Sequence, residues 1–170
     1  MNRRYVGIDP SSKTGFIILD KDGNVVVEEH IKIKHTDDPK RMIEIWERIK
    51  THLLPDDLVA IEGFSHNSIG RSKDFQYGLG WYIRANLYLM GYDYIKPSPN
   101  QVKKFGCGKG NAKKTELVEP VLNKWGYTHK VDDMIDAYII ARIAYSYDHL
   151  DECSKLEQNV IHTIENGVNK

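Results

Sequence analysis

Two short apolar runs of this sequence each end in a carboxylate. Asp9 closes the run YVGID, and Glu62 closes the run LVAIE. Apolar runs of this length predict buried β-strands, and a carboxylate at the end of a buried strand is poorly solvated unless positive charge meets it. A third apolar stretch, DMIDAYIIA, contributes Asp133 and Asp136. Because converging carboxylates bind hard cations such as Mg²⁺, the pattern predicts metal-dependent chemistry on phosphate.

The order of the predicted elements indicates an α/β fold. The predicted strands are residues 5–9, 14–20, 25–33, 58–62 and 92–96. The predicted helices are 38–53, 74–90, 99–105 and 111–125. Two further helices are predicted, one that begins at Asp132 or Asp133 and one in the tail after Asp151. The turn signal DKDG joins the second and third strands, so the first three strands form an antiparallel meander. Later strands alternate with helices, which places helices on the sheet faces. We expect the first strand at the sheet centre, with Asp9 at its exposed end.

Capping and turn residues predict several element boundaries. Asp38 and Pro39 predict the start of the first helix, as an N-cap followed by proline. The glycine-containing stretch 106–110 predicts a flexible loop. Asn111 predicts the cap of the next helix, in which Pro120 is expected to cause a kink.

The composition is that of a soluble globular protein. The 170 residues include 24 basic and 24 acidic side chains, so any attraction to an anionic partner must be local. The two cysteines, Cys107 and Cys153, are too few for a disulfide framework and indicate a reducing compartment. The N-terminus has no secretory apolar stretch, and no run approaches the roughly 20 apolar residues of a membrane helix. We expect a cytoplasmic protein without membrane contact, with one domain at 1–150 and its helical extension at 151–170.

Lysines concentrate in one segment of the otherwise neutral chain. The segment 94–115 contains no Asp or Glu. Its six lysines are Lys96, Lys103, Lys104, Lys109, Lys113 and Lys114. Such an excess is typical of a surface that follows a phosphate backbone, although a solvated charged face has the same composition. The glycines of 106–110 favour a loop that closes over a polyanion, but Gly108-Lys109 is not a Walker motif because glycine follows it instead of Ser or Thr.

Each acid also has a simpler interpretation. Asp9 lies in Asp-Pro-Ser, which is common turn chemistry, or in a phosphate-binding hairpin of the sugar-kinase and actin type. Glu62 can be explained by a salt bridge with a nearby lysine or arginine. Asp132 and Asp133 suit a helix N-terminus, where the helix dipole favours carboxylates. Asp136 fits no such explanation well, because it is followed by small and apolar residues that should pack inwards.

The predicted helix 74–90 has more apolar surface than one packing face requires. Its apolar side chains include Tyr77, Leu79, Trp81, Tyr82, Ile83, Ala85, Leu87, Tyr88, Leu89 and Met90. A helix that packs on one side needs about one apolar stripe. The surplus predicts a second buried contact, either a homodimer seam or a position between the sheet and other helices.

Taken together, these segments resemble the RuvC family of Holliday junction resolvases, which have a ribonuclease H-like fold. The matching stretches occur in the family order: Gly7-Ile8-Asp9-Pro10 with Thr14-Gly15, Ala60-Ile61-Glu62, Gln101-Val102-Lys103 with Lys114, and Asp133 with Asp136-Ala137. The resemblance implies a mixed five-stranded sheet, an antiparallel meander plus parallel strands, with helices on both faces. It also implies a homodimer through the 74–90 helix.

The resemblance implies the roles of particular residues as well. The expected metal ligands are the four acids, Asp9, Glu62, Asp133 and Asp136. They are expected to hold two Mg²⁺ ions per active site, for which Mn²⁺ can substitute. Lys103 and Lys114 are expected to contact DNA phosphates or to stabilise charge near the scissile phosphate, so Lys114 joins the four acids as a catalytic residue. The other expected DNA contacts are Lys104, Lys109, Lys113, Phe64, Arg71 and Lys73.

The chain departs from the family pattern at three points. The family glycine after Asp-Pro is Ser11 here, and the aromatic residue that probes the junction is displaced, so that Phe64 is the nearest candidate. The chain also continues past the final catalytic helix. These differences are closer to the divergent phage-type members, and the sequence does not indicate a cleavage preference or a branch-migration partner protein.

The predicted activity is that of a homodimeric, Mg²⁺-dependent endonuclease that nicks paired strands of a four-way DNA junction. Its setting would be recombination, repair or phage DNA processing. Three alternatives stay open: the same fold acting on a flap, fork or RNA–DNA hybrid; a kinase or ATPase; and a non-catalytic junction-binding protein. The kinase alternative predicts a second phosphate hairpin, which the sequence lacks, and four intact acids argue against a protein that only binds.

Overall fold

A central strand with two kinds of neighbour organises the sheet. The structure, a computed structural model, describes residues 3–34, 37–64 and 71–168. The five strands are β1 (Tyr5–Asp9), β2 (Lys13–Leu19), β3 (Val25–Lys32), β4 (Leu58–Ile61) and β5 (Tyr94–Ile95). Their order is β3-β2-β1-β4-β5, with antiparallel pairing among β1, β2 and β3 and parallel pairing of β4 with both β1 and β5. The predicted meander, the central first strand and the mixed five-stranded sheet are confirmed.

Helices cover both faces of this sheet. The α-helices are α1 (Asp38–Lys50), α2 (Arg71–Leu89), α3 (Pro99–Cys107), α4 (Val118–Trp125), α5 (Asp132–Asp148) and α6 (Lys155–Val168). Successive side chains of a strand point to opposite faces, so Val6 and Ile8 of β1 pack with α1 and α2, whereas Tyr5 packs with the core that α5 and α6 help to form. Within the described ranges, none of these helices is both long and apolar enough to cross a membrane.

The closest approach between helix and sheet is made by α5. A Cβ at Gly7 would lie 2.2 Å from the backbone oxygen of Ala137, and a Cβ at Gly15 would lie 2.3 Å from the backbone oxygen of Asp133. Glycine is needed at both positions because the backbone of α5 occupies the space of a side chain. This contact brings Asp133 and Asp136, in the first turns of α5, against the end of β1.

Gly7→Ala is expected to destabilise the protein by roughly 3 kcal/mol or more, the upper end of the cost of overpacking. The added methyl group would push α5 away from β1, and backbone atoms cannot move aside as a flexible side chain can. Urea unfolding measures the effect. Gly167→Ala is the matched control, because no atom of the described residues lies within 4 Å of a Cβ there and alanine favours a helix over glycine. Equal stability of Gly7→Ala and the wild-type protein would contradict the packing described.

Two predicted boundaries around α1 and α3 are wrong. Asp37, rather than Asp38, is the N-cap residue of α1, and it makes no side-chain cap hydrogen bond. The stretch 106–110 is not wholly a loop, because Gly106 is buried inside α3, where a Cβ would lie 2.6 Å from Cδ1 of Ile139. Gly108 ends that helix at a φ of 83°, a conformation that glycine adopts without strain.

The predicted helix 111–125 begins later than expected. Residues Lys114–Glu116 form a 3₁₀ turn, and α4 starts at Val118. Asn111 is therefore not its cap. Pro120 is the third residue of α4, in the first turn, where backbone N–H groups have no intrahelical acceptor. The first turn of the helix therefore accommodates the proline without the predicted kink. The remaining predicted elements are present, with their ends shifted by about one helical turn or less.

The tail packs back onto the rest of the molecule through α6. Val160, Ile161 and Ile164 are buried in the same core as α5 and α3. Gln101 of α3 donates a hydrogen bond from Nε2 to Oγ1 of Thr163 at 3.2 Å. These contacts support α3, the helix that carries Lys103 and Lys104, two of the predicted DNA-contacting lysines.

Candidate functional site

Three of the four predicted acids meet at one end of the sheet. Asp9 is the last residue of β1, and Asp133 and Asp136 lie at the start of α5. Each offers a carboxylate oxygen, and these oxygens all lie within 4.8 Å of one another. Asp9 is 6% exposed and Asp136 is 7% exposed. The fold thus gathers acids from opposite ends of the sequence and removes two of them almost completely from water.

Glu62 lies beside this group, outside its tightest part. It follows β4 directly, and its N–H donates a hydrogen bond to the Ile8 carbonyl at 3.0 Å. The parallel pairing of β1 and β4 therefore continues to the residue next to Asp9. Burial, and then the negative charges of Asp9 and Asp136, raise the pKa of Glu62 well above its usual value. The fourth acid shares the electrostatic environment of the other three.

The acids disfavour one another's ionisation. Burial and then the charge of Asp136 raise the pKa of Asp9 from 3.8 to about 7. Burial also raises the pKa of Asp136, against the opposing effect of Lys114. Ionised carboxylates in this position are costly unless a cation lies close to them. A buried set of oxygen ligands with too little positive charge fits a hard divalent cation.

Lys114 brings positive charge to the acids. Its Nζ lies 2.9 Å from Oδ1 of Asp133 and 3.1 Å from Oδ2 of Asp136. Burial lowers the pKa of Lys114, but the two acids outweigh burial and the net shift is upward. The ammonium group therefore binds the same carboxylates that a divalent cation would use.

Lys114→Met is expected to tighten divalent-cation binding by about tenfold, because it removes a competing ammonium group from two ligands and one pKa unit of interaction corresponds to a factor of ten. Calorimetric titration of the DNA-free protein with Mn²⁺ measures this. Lys113→Met is the control, since Lys113 is an exposed neighbour whose substitution removes the same charge without freeing a ligand. Unchanged or weaker Mn²⁺ binding in Lys114→Met would argue against competition.

The other predicted lysines lie at different distances from the acids. Lys103, on α3, is close enough for its charge to oppose the rise in the pKa of Glu62. Lys104, Lys109 and Lys113 are exposed, and in the described part of the chain they make no contact with the acids. The structure therefore brings two lysines, Lys103 and Lys114, to the site and leaves the other three on the surface.

Phe64, predicted to contact DNA, packs into an aromatic cluster on α2. Its ring centroid lies 4.8 Å from that of Tyr77 and 5.7 Å from that of Trp81. The guanidinium carbon of Arg84 lies 4.1 Å from the centroid of the Phe64 ring. Phe64 is half-buried, whereas Trp81 is 62% exposed. Trp81 is thus the ring of this cluster most accessible from outside, and the sequence interpretation did not single it out as a DNA contact.

Lys73 and Arg71 complete the predicted DNA contacts. The Nζ of Lys73 lies 5.4 Å from the ring centroid of Tyr77 and 3.4 Å from its phenol oxygen. Lys73 is therefore attached to the same aromatic cluster as Phe64. Arg71 begins α2, but its side chain lies outside the described residues.

His30 is a neighbour of the site that the sequence interpretation missed. Its Nε2 lies 3.2 Å from the carbonyl oxygen of Lys13 and 3.6 Å from Oδ2 of Asp133. A carbonyl oxygen can only accept, so this nitrogen is the donor. Burial lowers the pKa of His30, which favours the neutral ring. The histidines have no ligand spacing in the sequence; the pairing of His30 with Gly15 between β3 and β2 places it beside Asp133.

The helix α2 buries one apolar stripe and exposes another. The buried stripe, at four-residue spacing, is Phe75, Leu79, Ile83 and Leu87. The exposed apolar residues of this helix, here called the α2 outer face, are Trp81, Tyr88 and Leu89. Tyr88 is 77% exposed and Leu89 is 80% exposed, so the described part of the chain does not cover this face. Several large apolar side chains exposed on one helix are typical of contact with another molecule.

Two solved structures of RuvC from Thermus thermophilus have the same arrangement of sheet and helices. One matches with a TM-score of 0.64 and 18% sequence identity, over 86% of this chain and 96% of that chain. The other, T. thermophilus RuvC in complex with a Holliday junction substrate, matches with a TM-score of 0.63 and 22% identity, over 86% of this chain and 94% of that chain. The chain has the RuvC fold. The predicted ribonuclease H-like architecture is therefore confirmed.

No protein-family model matches the sequence, and no curated protein sequence matches it. The RuvC fold describes how the elements are arranged, whereas a reaction has to be argued from the residues of the site. In this chain those residues are the four acids, the two lysines beside them and His30.

Proposed function

We propose that this protein is a divalent-metal-dependent endonuclease that resolves four-way DNA junctions, in recombination, repair or phage DNA processing. The observation that carries the proposal is the convergence of four acids from three segments at one end of a RuvC fold. Buried carboxylates with raised pKa values and a specific charged partner are candidates for a functional site. The structure of T. thermophilus RuvC with a Holliday junction substrate supports a junction as the substrate.

The four acids would hold the cations, with two Mg²⁺ ions per site as the first choice and Mn²⁺ as a substitute. When bound, such ions supply an activated water molecule and neutralise charge on the scissile phosphate. Burial of Asp9 and Asp136 keeps these ligands away from bulk water, where electrostatic interactions are weaker. We expect Lys114 to exchange Asp133 and Asp136 for a DNA phosphate oxygen, because an ammonium–phosphate contact is a strong charge-assisted hydrogen bond.

The lysines would bind the DNA backbone around this site. Lys103 lies near Glu62, and Lys104, Lys109 and Lys113 are exposed in the same part of the chain. Each lysine–phosphate contact releases counterions from DNA, so junction affinity should fall steeply as salt rises. Lysine–phosphate contacts position a protein on DNA without reading its sequence, which fits recognition of a DNA shape.

A homodimer would account for paired cutting. Resolution of a four-way junction needs nicks in two strands of like polarity, and a two-fold dimer presents two identical sites. The α2 outer face supports this arrangement because it is apolar and uncovered within the described residues. Its position on the helix that follows Glu62 would place the seam close to both sites.

Nicking of a labelled immobile four-way junction in Mg²⁺ tests the proposal, beside linear duplex, a flap and an RNA–DNA hybrid. We expect nicks confined to the junction. Preferential cutting of the flap or the hybrid would leave the metal site standing and overturn the junction substrate. Tight junction binding with no cutting in either Mg²⁺ or Mn²⁺ would overturn the enzymatic proposal and leave a junction-binding protein.

A further inference from the structure

Arg84 is a buried cation with no acidic partner among the residues that the structure describes. It lies on α2 and is 4% exposed. Among the described residues no carboxylate pairs with its guanidinium group, and its Nε has no hydrogen-bond partner. Burial lowers the pKa of Arg84, which reflects the cost of this position. Because arginine is rarely buried unpaired, the contacts that it does make require an explanation.

Arg84 uses its guanidinium group to hold the backbone of Glu62. Its Nη2 donates a hydrogen bond to the Glu62 carbonyl oxygen at 3.0 Å. The planar group stacks on Phe64 and lies 5.5 Å from the ring centroid of Trp81. A Cβ at Gly80 would lie 2.7 Å from Cε1 of Phe64, so α2 leaves room for this ring. The stack fixes the orientation of the donor, which the flexible ammonium group of a lysine would not reproduce.

The backbone around Glu62 is held at successive peptide groups. The N–H of Glu62 donates to Ile8 at 3.0 Å, and the N–H of Gly63 donates to the Pro97 carbonyl at 2.7 Å. Arg84 binds the carbonyl between these two N–H groups. No hydrogen bond from the described residues reaches the Glu62 carboxylate, so the position of that carboxylate depends on its backbone.

We propose that Arg84 is a positioning residue for the metal site, which fixes the Glu62 peptide and so keeps the Glu62 carboxylate beside Asp9. The inference rests on the proposal that Glu62 binds a cation. Arg84 acts through the backbone rather than through its charge, because the cations that oppose the pKa rise of Glu62 are Lys114 and Lys103. Removing the donor should therefore weaken cation binding even where the fold is kept.

Three variants separate the donor from the charge and from general packing. Arg84→Met removes both donor and charge, whereas Arg84→Gln keeps a donor and should recover part of the loss. Arg41→Met is the matched control. The guanidinium carbon of Arg41 lies 3.8 Å from the ring centroid of Phe75, which is on α2 like Arg84. The Nε of Arg41 also has no hydrogen-bond partner among the described residues. Arg41 pairs with Asp38 and, within the described residues, contacts none of the site acids.

Calorimetric titration of the DNA-free protein with Mn²⁺ is the primary measurement, at a temperature where all variants are folded. We expect Arg84→Met to weaken Mn²⁺ binding by about tenfold or more, the usual effect of losing a group that orients a metal ligand. Arg84→Gln should lose less, and Arg41→Met should stay close to the wild-type affinity. In junction nicking, Arg84→Met should lower kcat and leave KM unchanged.

A double-mutant cycle with Glu62→Gln makes the test specific. If Arg84 acts through Glu62, adding Arg84→Met to Glu62→Gln should change Mn²⁺ affinity by less than about twofold. Wild-type Mn²⁺ affinity in Arg84→Met, an equal loss in Arg41→Met, or full additivity with Glu62→Gln would each overturn the positioning role. If Arg84→Met does not fold, Phe64→Leu replaces it, because this variant removes the ring on which the guanidinium group stacks. Unchanged Mn²⁺ binding in Phe64→Leu would then overturn the positioning role of Arg84.

The same titrations distinguish this inference from the proposed function. Mn²⁺ binding needs no DNA, so the cycle can be completed whatever the substrate is. A wild-type protein that binds Mn²⁺ with the expected dependence on Arg84 but leaves junctions uncut would support the positioning role and overturn the proposed function. A wild-type protein that nicks junctions, but whose Mn²⁺ affinity does not depend on Arg84, would support the proposed function and overturn the positioning role.

Discussion

Asp9→Asn is expected to abolish DNA nicking and, in the same protein, to raise the stability of the metal-free fold at pH 8. Loss of nicking by roughly a thousandfold or more follows from removing a charged ligand at the centre of the acid cluster. The gain in stability follows from burial, because Asn has nearly the shape of Asp without the charge. Most active-site substitutions are expected to lower activity; the combination with higher stability is specific to a buried, unpaired carboxylate.

The direction of the stability change follows from the pH dependence of unfolding. The pKa of Asp9 rises from 3.8 to about 7 in the folded protein, so between these values the folded state holds a proton that the unfolded state has released. Stability therefore falls as pH rises through this window, and the full cost is present above about pH 7. Asp9→Asn should be more stable than the wild-type protein by roughly 2–4 kcal/mol at pH 8, since one pKa unit corresponds to about 1.4 kcal/mol.

Urea unfolding in EDTA at pH 8 and at pH 5 measures the effect, and the advantage of Asp9→Asn should shrink at the lower pH. Asp20→Asn is the control with the opposite sign. Burial is the largest single influence on Asp20 and opposes its ionisation, but the hydrogen bonds that Asn24 and Asp22 donate together outweigh burial and lower the pKa of Asp20. Asp20→Asn should therefore gain no stability. An Asp9→Asn protein that nicks junctions, or that is less stable than the wild type at pH 8, would contradict the account.

Tyr88→Glu is expected to dissociate the proposed homodimer and to uncouple the two nicks. Tyr88 lies in the α2 outer face and is 77% exposed, so a charge there should not disturb the fold of one chain. Burying an unpaired carboxylate in a dimer seam should cost at least about 2 kcal/mol, as at an interface hot spot, and so weaken association roughly 30-fold or more.

Sedimentation velocity measures the mass of each variant, and nick mapping measures the coupling. We expect the wild type to sediment as a dimer and Tyr88→Glu as a monomer that cuts junctions slowly and one strand at a time. Leu54→Glu is the control, because Leu54 is also exposed and apolar but lies between α1 and β4 instead of on α2. A monomeric wild type that makes paired nicks would rule out the proposed dimer, and an unchanged mass for Tyr88→Glu would rule out this seam.

The placement of the acids could be predicted because each one interrupts or ends an apolar pattern. Asp9 ends β1 and Glu62 follows β4, and these strands are parallel neighbours. The proximity of the two acids follows from the central position of the first strand. Asp136 lies in a helix that is buried along most of its length, where a carboxylate has no ordinary place. Local sequence was enough here, since the unusual feature was a charge in an apolar environment.

Contacts that depend on tertiary packing could not be predicted in this way. His30 reaches Asp133 only through the register of β3 on β2. Nothing in the local sequence distinguishes Arg84 from other polar residues of a helix, and its contact with Phe64 is visible only in the structure. Gly106 appears in a glycine-containing stretch typical of a loop, but its lack of a side chain lets α3 approach Ile139. In each case the partner is distant in sequence.

Residues that suit more than one position at a helix end also limited the prediction of boundaries. Asp37 and Asp38 are equally suited to an N-cap, and only the backbone conformation distinguishes them. Pro120 is compatible with a kink inside a helix and with the first turn of one, and the choice depends on where the preceding 3₁₀ turn ends. These ambiguities left the sheet order and the position of the acids unchanged.

Junction resolution is tested most directly by mapping nicks on a four-way junction labelled on each of its four strands, in Mg²⁺. We expect nicks in two strands of like polarity, at positions related by two-fold symmetry, and their loss in Asp9→Asn. Nicks in a single strand, nicks without that symmetry, or equal cutting of linear duplex would contradict it.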